Sequence, residues 1–471
     1  MERAEAEAIY EGGREAVVEV LLAMDRRIAQ LEARVEQLER RLSRNSRNSS
    51  LPPSQDPPGA PPRRRGKDRS GRPQGGQSGH EGHGRDLLPA WAVDELVDHW
   101  PGRCGCGHVF VEAERVGCRE PARHQVEELP QIAVRVTEHR CQRVRCPGCG
   151  SERTGELPAD VAASAFGPRL QAAVAALSVR NRVSRRDLVE LCEELFGARI
   201  STGSIDAILA RAGDALETSY EQLLDRMRRS RALNVDETGW RLKGGQRTLW
   251  GAFSEKIAVF KVTASRHEQH LRELLADHQG IVTSDRWWAY DHLPLGRRQL
   301  CWSHLQRDFQ AQAEGSGAEH ELGQAGLRIC ERLFWAWEVY QHTNDRRQLQ
   351  LEVRALRREL KPILRQYRGK APRYKRSRGL ARNLLKAWPA LWTFADHTGV
   401  TPTNNHAERA LRGAVIYRKL SLGSQSHAGE QRTQRLLSAS ITCRLQHRSL
   451  FGYLAELLAA HARGDPLPQL A

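Results

Sequence analysis

At 471 residues the chain is too long for one compact core, so it should form several domains. The net charge of +16 and the pI of about 9.8 favour a polyanionic partner, most often DNA or RNA. No apolar run of about 18 residues is present and the N-terminus is charged, which predicts neither a membrane span nor a secretory signal. The ten cysteines, some paired as in metal sites, are typical of a reducing cytoplasm.

Residues 1–45 are predicted to form a coiled coil. The two core positions of its heptads are filled by Leu21, Ile28, Val35 and Leu42 and by Met24, Leu31 and Leu38. In a parallel pair Arg27 faces Glu32 of the second copy, and Arg34 faces Glu39. The β-branched residues at one core position favour two strands. Self-association is therefore expected, and a lone amphipathic helix packed on its own chain is the alternative.

Residues 46–90 are rich in Pro, Gly and Ser and are predicted to form a disordered basic linker. Four basic side chains in it suit salt-sensitive, sequence-independent contacts with phosphates, namely Arg63, Arg64, Arg65 and Lys67. A tail that only adds solubility is the competing interpretation.

Residues 91–160 contain two cysteine pairs that predict a structural zinc site. The pairs are Cys104 with Cys106 and Cys146 with Cys149, the second in a Cys-Pro-Gly-Cys-Gly turn. Two such turns complete a tetrahedral Zn²⁺ site, without which so small a β-domain lacks a sufficient core. The strand-like run 132–140 is expected to bring the pairs together. Because the first pair is unusually tight, alternative ligands remain open: Cys118, Cys141, His108 and His124. Unliganded thiols are the other interpretation.

Residues 161–230 have a helical pattern. Ser184 is expected to cap one helix and Gly197 to close it, and Ser201 or Thr202 is expected to cap the next. Two capped helices with a short turn predict a helix-turn-helix-like DNA-binding domain. The second helix has few basic residues, with Arg211 near its end, so a plain helical spacer is the alternative.

Residues 231–430 are predicted to form an α/β core of the ribonuclease-H-like kind. The order is strand, strand, strand, helix, strand, with Asp236 after the apolar start of the first strand and Asp285 after the fourth. The first and fourth strands lie side by side in that fold, which brings the two aspartates together. Glu408 begins a helix after a helical insertion of about 310–396, and a helical region follows over 431–471. The fold class is thus multidomain α/β.

Asp236, Asp285 and Glu408 predict a site for two magnesium ions. Magnesium prefers carboxylate oxygens, and two ions about 3.5–4 Å apart stabilise the attacking and leaving oxygens of a phosphodiester displacement. A basic chain with such a site is a candidate for cutting and joining nucleic acid. Glu237 and Asp291 are rival ligands that spacing does not exclude.

The chain resembles the transposases of the insertion-sequence-66 family of bacterial mobile elements over nearly its whole length. The motifs that match, in chain order, are Asn48-Ser49-Ser50, Pro52-Pro53-Ser54, Gly75-Gly76-Gln77, Gly79-His80, the cysteine pairs, Val235-Asp236-Glu237-Thr238, Ser284-Asp285, Cys301-Trp302-Ser303-His304, Asn404-Asn405, Glu408-Arg409-Ala410-Leu411-Arg412 and Ser440 to Cys443. The resemblance implies a DDE transposase that uses Mg²⁺ or Mn²⁺ to nick element ends and joins the freed 3′ hydroxyl to target DNA. The short Cys104–Cys106 spacing departs from the family and leaves the zinc ligands open.

The resemblance also implies roles around the three acids. His304, from the Cys-x-x-His signature, is expected to contact the scissile phosphate or a metal-bound water, with a structural histidine as the alternative. Arg409 and Arg412 suit phosphate contacts near the cut site, or are surface arginines.

Aromatic and amide side chains surround the same motifs. Trp287, Trp288 and Tyr290 are expected to pack in the core, with stacking on an unstacked base as the alternative. Asn404 and Asn405 are expected to cap and position the helix that carries Glu408.

The partners expected are the element ends, target DNA, a second copy of the chain and helper proteins of the same element, in the bacterial cytoplasm at the nucleoid. Two other function classes remain open, a non-catalytic DNA-binding derivative and a metal-dependent nuclease without strand transfer.

Overall fold

The structure, a computed structural model, describes residues 9–42, 86–162 and 164–470. Helix α1 (Arg14–Leu42) is a single long helix whose apolar side chains at Leu21, Ile28, Leu31 and Val35 are all at least half exposed. The helix therefore presents an apolar face that no other described residues cover. Within the described ranges, no helix is both long enough and apolar enough to cross a lipid bilayer.

The stretch from residue 86 to 162 has little regular structure. A short antiparallel hairpin pairs β1 (Arg143–Arg145) with β2 (Glu152–Thr154), and α2 (Ala159–Ala162) follows. The predicted strand over 132–140 is wrong, because no residue of this run belongs to a strand or pairs with one among the described residues. Its alternating side chains Ile132, Val134 and Val136 are 50%, 40% and 85% exposed, and the Val134 N–H donates to the Phe196 carbonyl at 3.2 Å. An apolar alternation forms a strand where one face is buried, and none of these three side chains is buried.

Four helices precede the main sheet: α3 (Pro168–Val179), α4 (Arg185–Phe196), α5 (Thr202–Ala215) and α6 (Glu217–Arg228). The predicted caps are confirmed. Ser184 Oγ accepts from Asp187 N, and Gly197 ends α4 with a φ of +63° that suits glycine. Ser201, rather than Thr202, caps α5. The two capped helices form the predicted pair.

Five strands of the described chain form one mixed sheet in the order β5-β4-β3-β6-β7. In chain order the elements are β3 (Ala232–Leu242), β4 (Gly245–Phe253), β5 (Ala258–Thr263), α7 (Glu268–Leu275), β6 (Ile281–Ser284) and β7 (Arg298–Leu300). The first three strands are antiparallel, whereas β3, β6 and β7 run parallel. The first and fourth strands are neighbours, as the sequence predicts.

Helices fill the segment between β7 and residue 396: α8 (Trp302–Ala313), α9 (Ala318–Thr343), α10 (Arg346–Tyr367), α11 (Arg378–Lys386) and α12 (Thr393–Asp396). They share a hydrophobic core that includes Trp302, Phe309, Leu360 and Phe394 and that reaches the sheet at Leu300. A second, larger core joins side chains of β3, β4 and β5 to α3–α6 and to the C-terminal helices. The sheet thus contributes side chains to both cores.

The C-terminal helices are α13 (Asn405–Ser421), α14 (His427–Leu445) and α15 (Leu450–Arg463). Helix α14 closes the outer edge of the sheet. Side chains one turn apart on α14, at Gln434, Ser438 and Thr442, accept hydrogen bonds from N–H groups of β5 at 3.1, 2.9 and 3.0 Å. These bonds satisfy donors that an edge strand otherwise leaves unpaired.

Candidate active site

Asp236 and Asp285 lie at the same level on neighbouring parallel strands. In the β3–β6 register Asn234 pairs with Thr283, and each aspartate is two residues further on. A spacing of two returns the side chain to the same face of the sheet. The register therefore places both carboxylates on one face at the carboxyl end of the parallel pair.

Glu408 lies in the first turn of α13, which Asn404 holds against β3. The Asn404 side chain donates to the Val235 carbonyl at 2.8 Å and accepts from the Asn234 amide at 3.0 Å. Its backbone N–H donates to Cys301 Sγ at 3.0 Å. One fully buried asparagine thus joins the strand of Asp236, the segment after β7 and the helix of Glu408.

The capping role predicted for Asn404 is wrong in its partner. Asn404 occupies the N-cap position, but its side chain makes no capping bond because it is committed to β3. Asn405 points elsewhere and accepts from Ser303 Oγ at 3.3 Å. Asn404 does position the helix that carries Glu408, but it does so by bonding Val235, which is distant in sequence.

The charges of the three acids act on one another. Burial raises the pKa of Asp236 well above its usual range, and the charges of Glu237, Asp285 and Glu408 raise it further, against one lowering hydrogen bond from the Glu237 N–H. Like charges raise the pKa of a carboxyl group only when they are near, so the carboxylates share a neighbourhood. Such a cluster of oxygen donors suits a hard divalent cation.

A tighter group lies beside Glu408. Among the described residues, Cys301, His304 and Glu408 form a set of metal-type donor atoms within 4.8 Å of one another, whereas the trio of acids does not meet that spacing. His304 Nδ1 is buried 3.7 Å from Glu408 Oε1 without a hydrogen-bond partner in the described chain. Burial, reinforced by the Arg307 charge, lowers the His304 pKa. Burial raises the pKa of Cys301 to about 11, so its thiol stays protonated.

The two rival carboxylates are engaged by other partners. Glu237 accepts from the Tyr290 hydroxyl at 2.6 Å and from Arg266 Nε at 2.6 Å. Asp291 accepts from Arg298 at 3.0 Å and from Lys386 at 3.2 Å. Side-chain donors thus occupy both groups, whereas the side chains of Asp236 and Asp285 accept from backbone N–H groups.

Arg298 is a site residue that the sequence reasoning missed. Its side chain is 2% exposed, and it donates to the Asp285 carbonyl at 3.0 Å as well as to Asp291. It therefore fixes the backbone that carries Asp285. The signal in the sequence is an arginine within a short strand that is otherwise expected to be buried.

The aromatic residues behind Asp285 divide into two kinds. Tyr290 is fully buried, so it packs in the core as predicted, and Trp287 lies 4.0 Å from the Arg266 guanidinium in a cation–π contact. Trp288 is 46% exposed and contacts the rings of His267 and Trp287, so the core packing predicted for it is wrong. Of the predicted phosphate-binding residues, Arg409 and Arg412 are exposed on α13, whereas Arg63, Arg64, Arg65 and Lys67 lie outside the described residues.

The predicted zinc cysteines lie in two separate turns. Hydrogen bonds from Cys106 lower the pKa of the Cys104 thiol, and hydrogen bonds from Ser151 and then Cys146 lower that of Cys149. Both shifts favour the thiolate that a metal binds. Over the described residues the four sulfurs are not gathered into one group, so the zinc site stays a prediction. The alternative ligand His108 instead bonds Glu114 at 2.9 Å.

Comparison with known proteins adds three findings. A family model described as "Transposase IS66 family" matches residues 163–432, which is more than half of the chain. A second model, for a family of unknown function (DUF6444), matches residues 2–86. The chain is also 22% identical over 382 residues to "Uncharacterized protein y4hP" of Sinorhizobium fredii (strain NBRC 101917 / NGR234), across 72% of this chain and 67% of that protein.

Proposed function

The chain belongs to the IS66 transposase family, and from this we propose that it is a DDE transposase that cleaves the ends of its element and transfers the freed strands to target DNA. The observation that carries the proposal is the placement of Asp236 and Asp285 at one level of the β3–β6 pair with Glu408 held beside them by Asn404. The sheet order, with three antiparallel strands followed by two parallel ones, supports a ribonuclease-H-like core.

The three acids fit divalent ions by their chemistry, since hard oxygen donors with mutually repelling charges stand together there. Asp236, Asp285 and Glu408 would hold Mg²⁺ or Mn²⁺, and two such ions supply stabilisation of the attacking and leaving oxygens. A set too spread for one ion to touch every member is the arrangement expected of ligands that serve two ions.

The surrounding residues of this chain have positioning and binding roles in the proposal. Asn404 and Arg298 fix the backbones of Glu408 and Asp285. His304 stays neutral beside Glu408 and is poised to exchange a proton or a hydrogen bond with the substrate phosphate. Arg409 and Arg412, exposed on the same helix as Glu408, are proposed to contact DNA phosphates.

The rest of the chain is proposed to serve assembly and DNA capture. The heptads of α1, with their exposed apolar face, support pairing with a second copy over residues 1–45. The linker over 46–90 and the helix pair of 161–230 are proposed to bind DNA, and 91–160 to hold structural Zn²⁺ through its four cysteines. The catalytic domain spans 231–430, and 431–471 is its C-terminal helical region. Helper proteins of the element and a place at the bacterial nucleoid complete the proposal.

The test is cleavage of DNA that carries the element's ends by purified full-length protein with and without Mg²⁺. Wild type should nick at the ends, and Asp285→Asn and Asp236→Asn should each fall to about one hundredth or less, the scale of losing a group that stabilises transition-state charge. Asp277→Asn is the matched control, because Asp277 is an exposed aspartate between α7 and β6 and its variant should keep most of the activity.

The outcomes separate the competing functions. Nicking that persists in Asp285→Asn would sink the site assignment. Nicking without any joined product would favour a nuclease. Binding of the ends without cleavage, even after the neighbouring gene products are added, would favour a non-catalytic derivative.

A further inference from the structure

One part of the helical insertion carries most of the net charge of the protein. Residues 346–386, here called the basic arm, contain fifteen Lys and Arg against two Glu, in a chain whose net charge is +16. The preceding helix, α9, is acidic instead, with Glu319, Glu321, Glu331 and Glu338 against two arginines. The charge is thus a local property of the basic arm.

The charge lies on one face of α10. The buried side of the helix is apolar and carries Leu349, Val353, Leu356, Leu360 and Leu364. A separate stripe at intervals of seven, four, seven and three residues carries Arg347, Arg354, Arg358, Arg365 and Arg368, all of them exposed. This spacing keeps the five guanidinium groups on one side of the helix.

These arginines have no acidic partner within the described chain. Among the described residues, neither an ion pair nor a side-chain hydrogen bond forms at Arg354, Arg358 or Arg365. The nearby Glu359 forms its ion pair with Arg332 of α9 instead. Like charges four residues apart, such as Arg354 and Arg358, destabilise a helix. A polyanion that binds to this surface would neutralise the mutual repulsion of the arginines.

The basic arm reaches the candidate active site at its far end. Lys386 bonds Asp291 at 3.2 Å, Asp291 accepts from Arg298, and Arg298 donates to the Asp285 carbonyl. Three successive hydrogen bonds therefore link the end of the basic arm to the backbone that carries Asp285. Helix α10 has 22 residues and a length of about 33 Å, close to one turn of B-form DNA.

We propose that the basic arm binds the phosphate backbone of duplex DNA, independently of sequence, and holds the duplex next to the cleavage site. The inference rests on the proposed function only in taking DNA as the substrate. The arginine stripe supplies the affinity, which is electrostatic and falls as salt rises.

The test is the salt dependence of binding to a random-sequence 30-base-pair DNA duplex, measured by fluorescence anisotropy of the full chain in the presence of a chelator of Mg²⁺. The triple variant Arg354→Gln/Arg358→Gln/Arg365→Gln should reduce the slope of log affinity against log salt by about 2 to 3, roughly 0.9 per lost phosphate contact. The control Arg140→Gln/Arg272→Gln/Arg463→Gln removes as many charges at exposed positions outside the basic arm and outside the ranges proposed to bind DNA, and it should leave the slope near that of wild type. All six side chains are outside the hydrophobic cores, so both variants should fold.

Several results would overturn the proposal. These are an unchanged slope in the arm variant, an equal loss in the control, or a wild type that does not bind the duplex. Because binding is read without cleavage, the two proposals fail separately. A wild type that nicks DNA while the arm variant keeps its slope rejects the basic arm alone, and a reduced slope in a protein that never nicks rejects the catalytic proposal alone.

Discussion

Residues 86–162 and 164–470 are built on different physical principles. In the first range no described side chain is fully buried, and Trp91, Val116 and Leu129 are 79–88% exposed. In the second range two hydrophobic cores pack against the sheet. The cysteine-rich range therefore has no packing of its own to define its shape.

This difference in packing shows what determines the geometry of the three acids and of the four cysteines. Packing and buried hydrogen bonds position the three acids before any metal arrives, as the bonds of Asn404 show. The four cysteines have no such scaffold among the described residues, so in the proposed zinc site the metal itself would supply the folding free energy of their segment. The predictions below test this contrast, from the largest expected loss of stability to the smallest.

Phe309→Ala should have the largest effect. Phe309 is fully buried in the core of the helical insertion, and its removal leaves a cavity that should lower the free energy of unfolding by about 3–5 kcal/mol. Urea denaturation measures the loss. Val144→Ala, at a side chain that is 63% exposed in the cysteine-rich range, is the control and should change stability by less than about 0.5 kcal/mol. Equal losses would abolish the contrast.

Asn404→Ala should come next, and it should affect catalysis as well. It leaves the Val235 carbonyl without its buried partner, at about 1–3 kcal/mol, whereas the Asn234 amide keeps its bond to the Thr403 carbonyl at 3.4 Å. Because Glu408 then loses its anchor, kcat for end nicking should fall more than KM rises. Asn405→Ala, which removes one weaker contact, should cost less. A drop in stability without a drop in kcat would reduce Asn404 to a purely structural residue.

Acidic pH should modestly lower the free energy of unfolding of residues 164–470 through protonation of His278. Burial lowers the pKa of His278 below its usual 6.5, outweighing the hydrogen bond that Nδ1 donates to the Arg228 carbonyl at 2.8 Å. A lowered pKa means that the unfolded chain binds the proton more readily, so this stabilising contribution is complete above pH 6.5 and is lost as the pH falls below it. His278→Asn keeps a donor at the Nδ1 position. It should flatten the decline between pH 7.5 and 5 by about 1 kcal/mol or less.

The control for that experiment is His397→Asn, since His397 is exposed. Its stability should follow pH as the wild type does. An unchanged pH profile in His278→Asn would show that other groups govern the acid response.

Removal of zinc should have the smallest effect on the packed range. A zinc chelator, or Cys146→Ser, should shift the urea midpoint of the two cores by less than about 0.5 kcal/mol. Amide hydrogen exchange around the β1–β2 hairpin should become much faster, because the segment loses the cross-link that the metal provides. A fall in the core midpoint of several kcal/mol would mean that the two ranges are coupled.

Local chemistry made much of the fold predictable from sequence. Three helix ends were predictable because their capping residues bond nearby backbone groups, at Ser184, Gly197 and Ser201. The order of strands and helix also implied that the strands of Asp236 and Asp285 are neighbours. Sequence signals failed where the decisive partner is distant. The partner of Asn404 is 169 residues away, and the run 132–140 alternates correctly yet buries none of its apolar side chains and pairs with no described strand.

Closure of the sheet edge by α14 has a consequence for synthesis of the protein. The residues of α14 that satisfy β5 come 172–184 positions later in the chain. At about 5–20 residues per second, the nascent strand waits on the order of 10 s or longer on the ribosome before its cover is made. During that interval the half-built sheet is open to pairing with a neighbouring nascent chain. A chain truncated before α14 should therefore aggregate, whereas the complete chain hides the edge as soon as its C-terminal helices emerge.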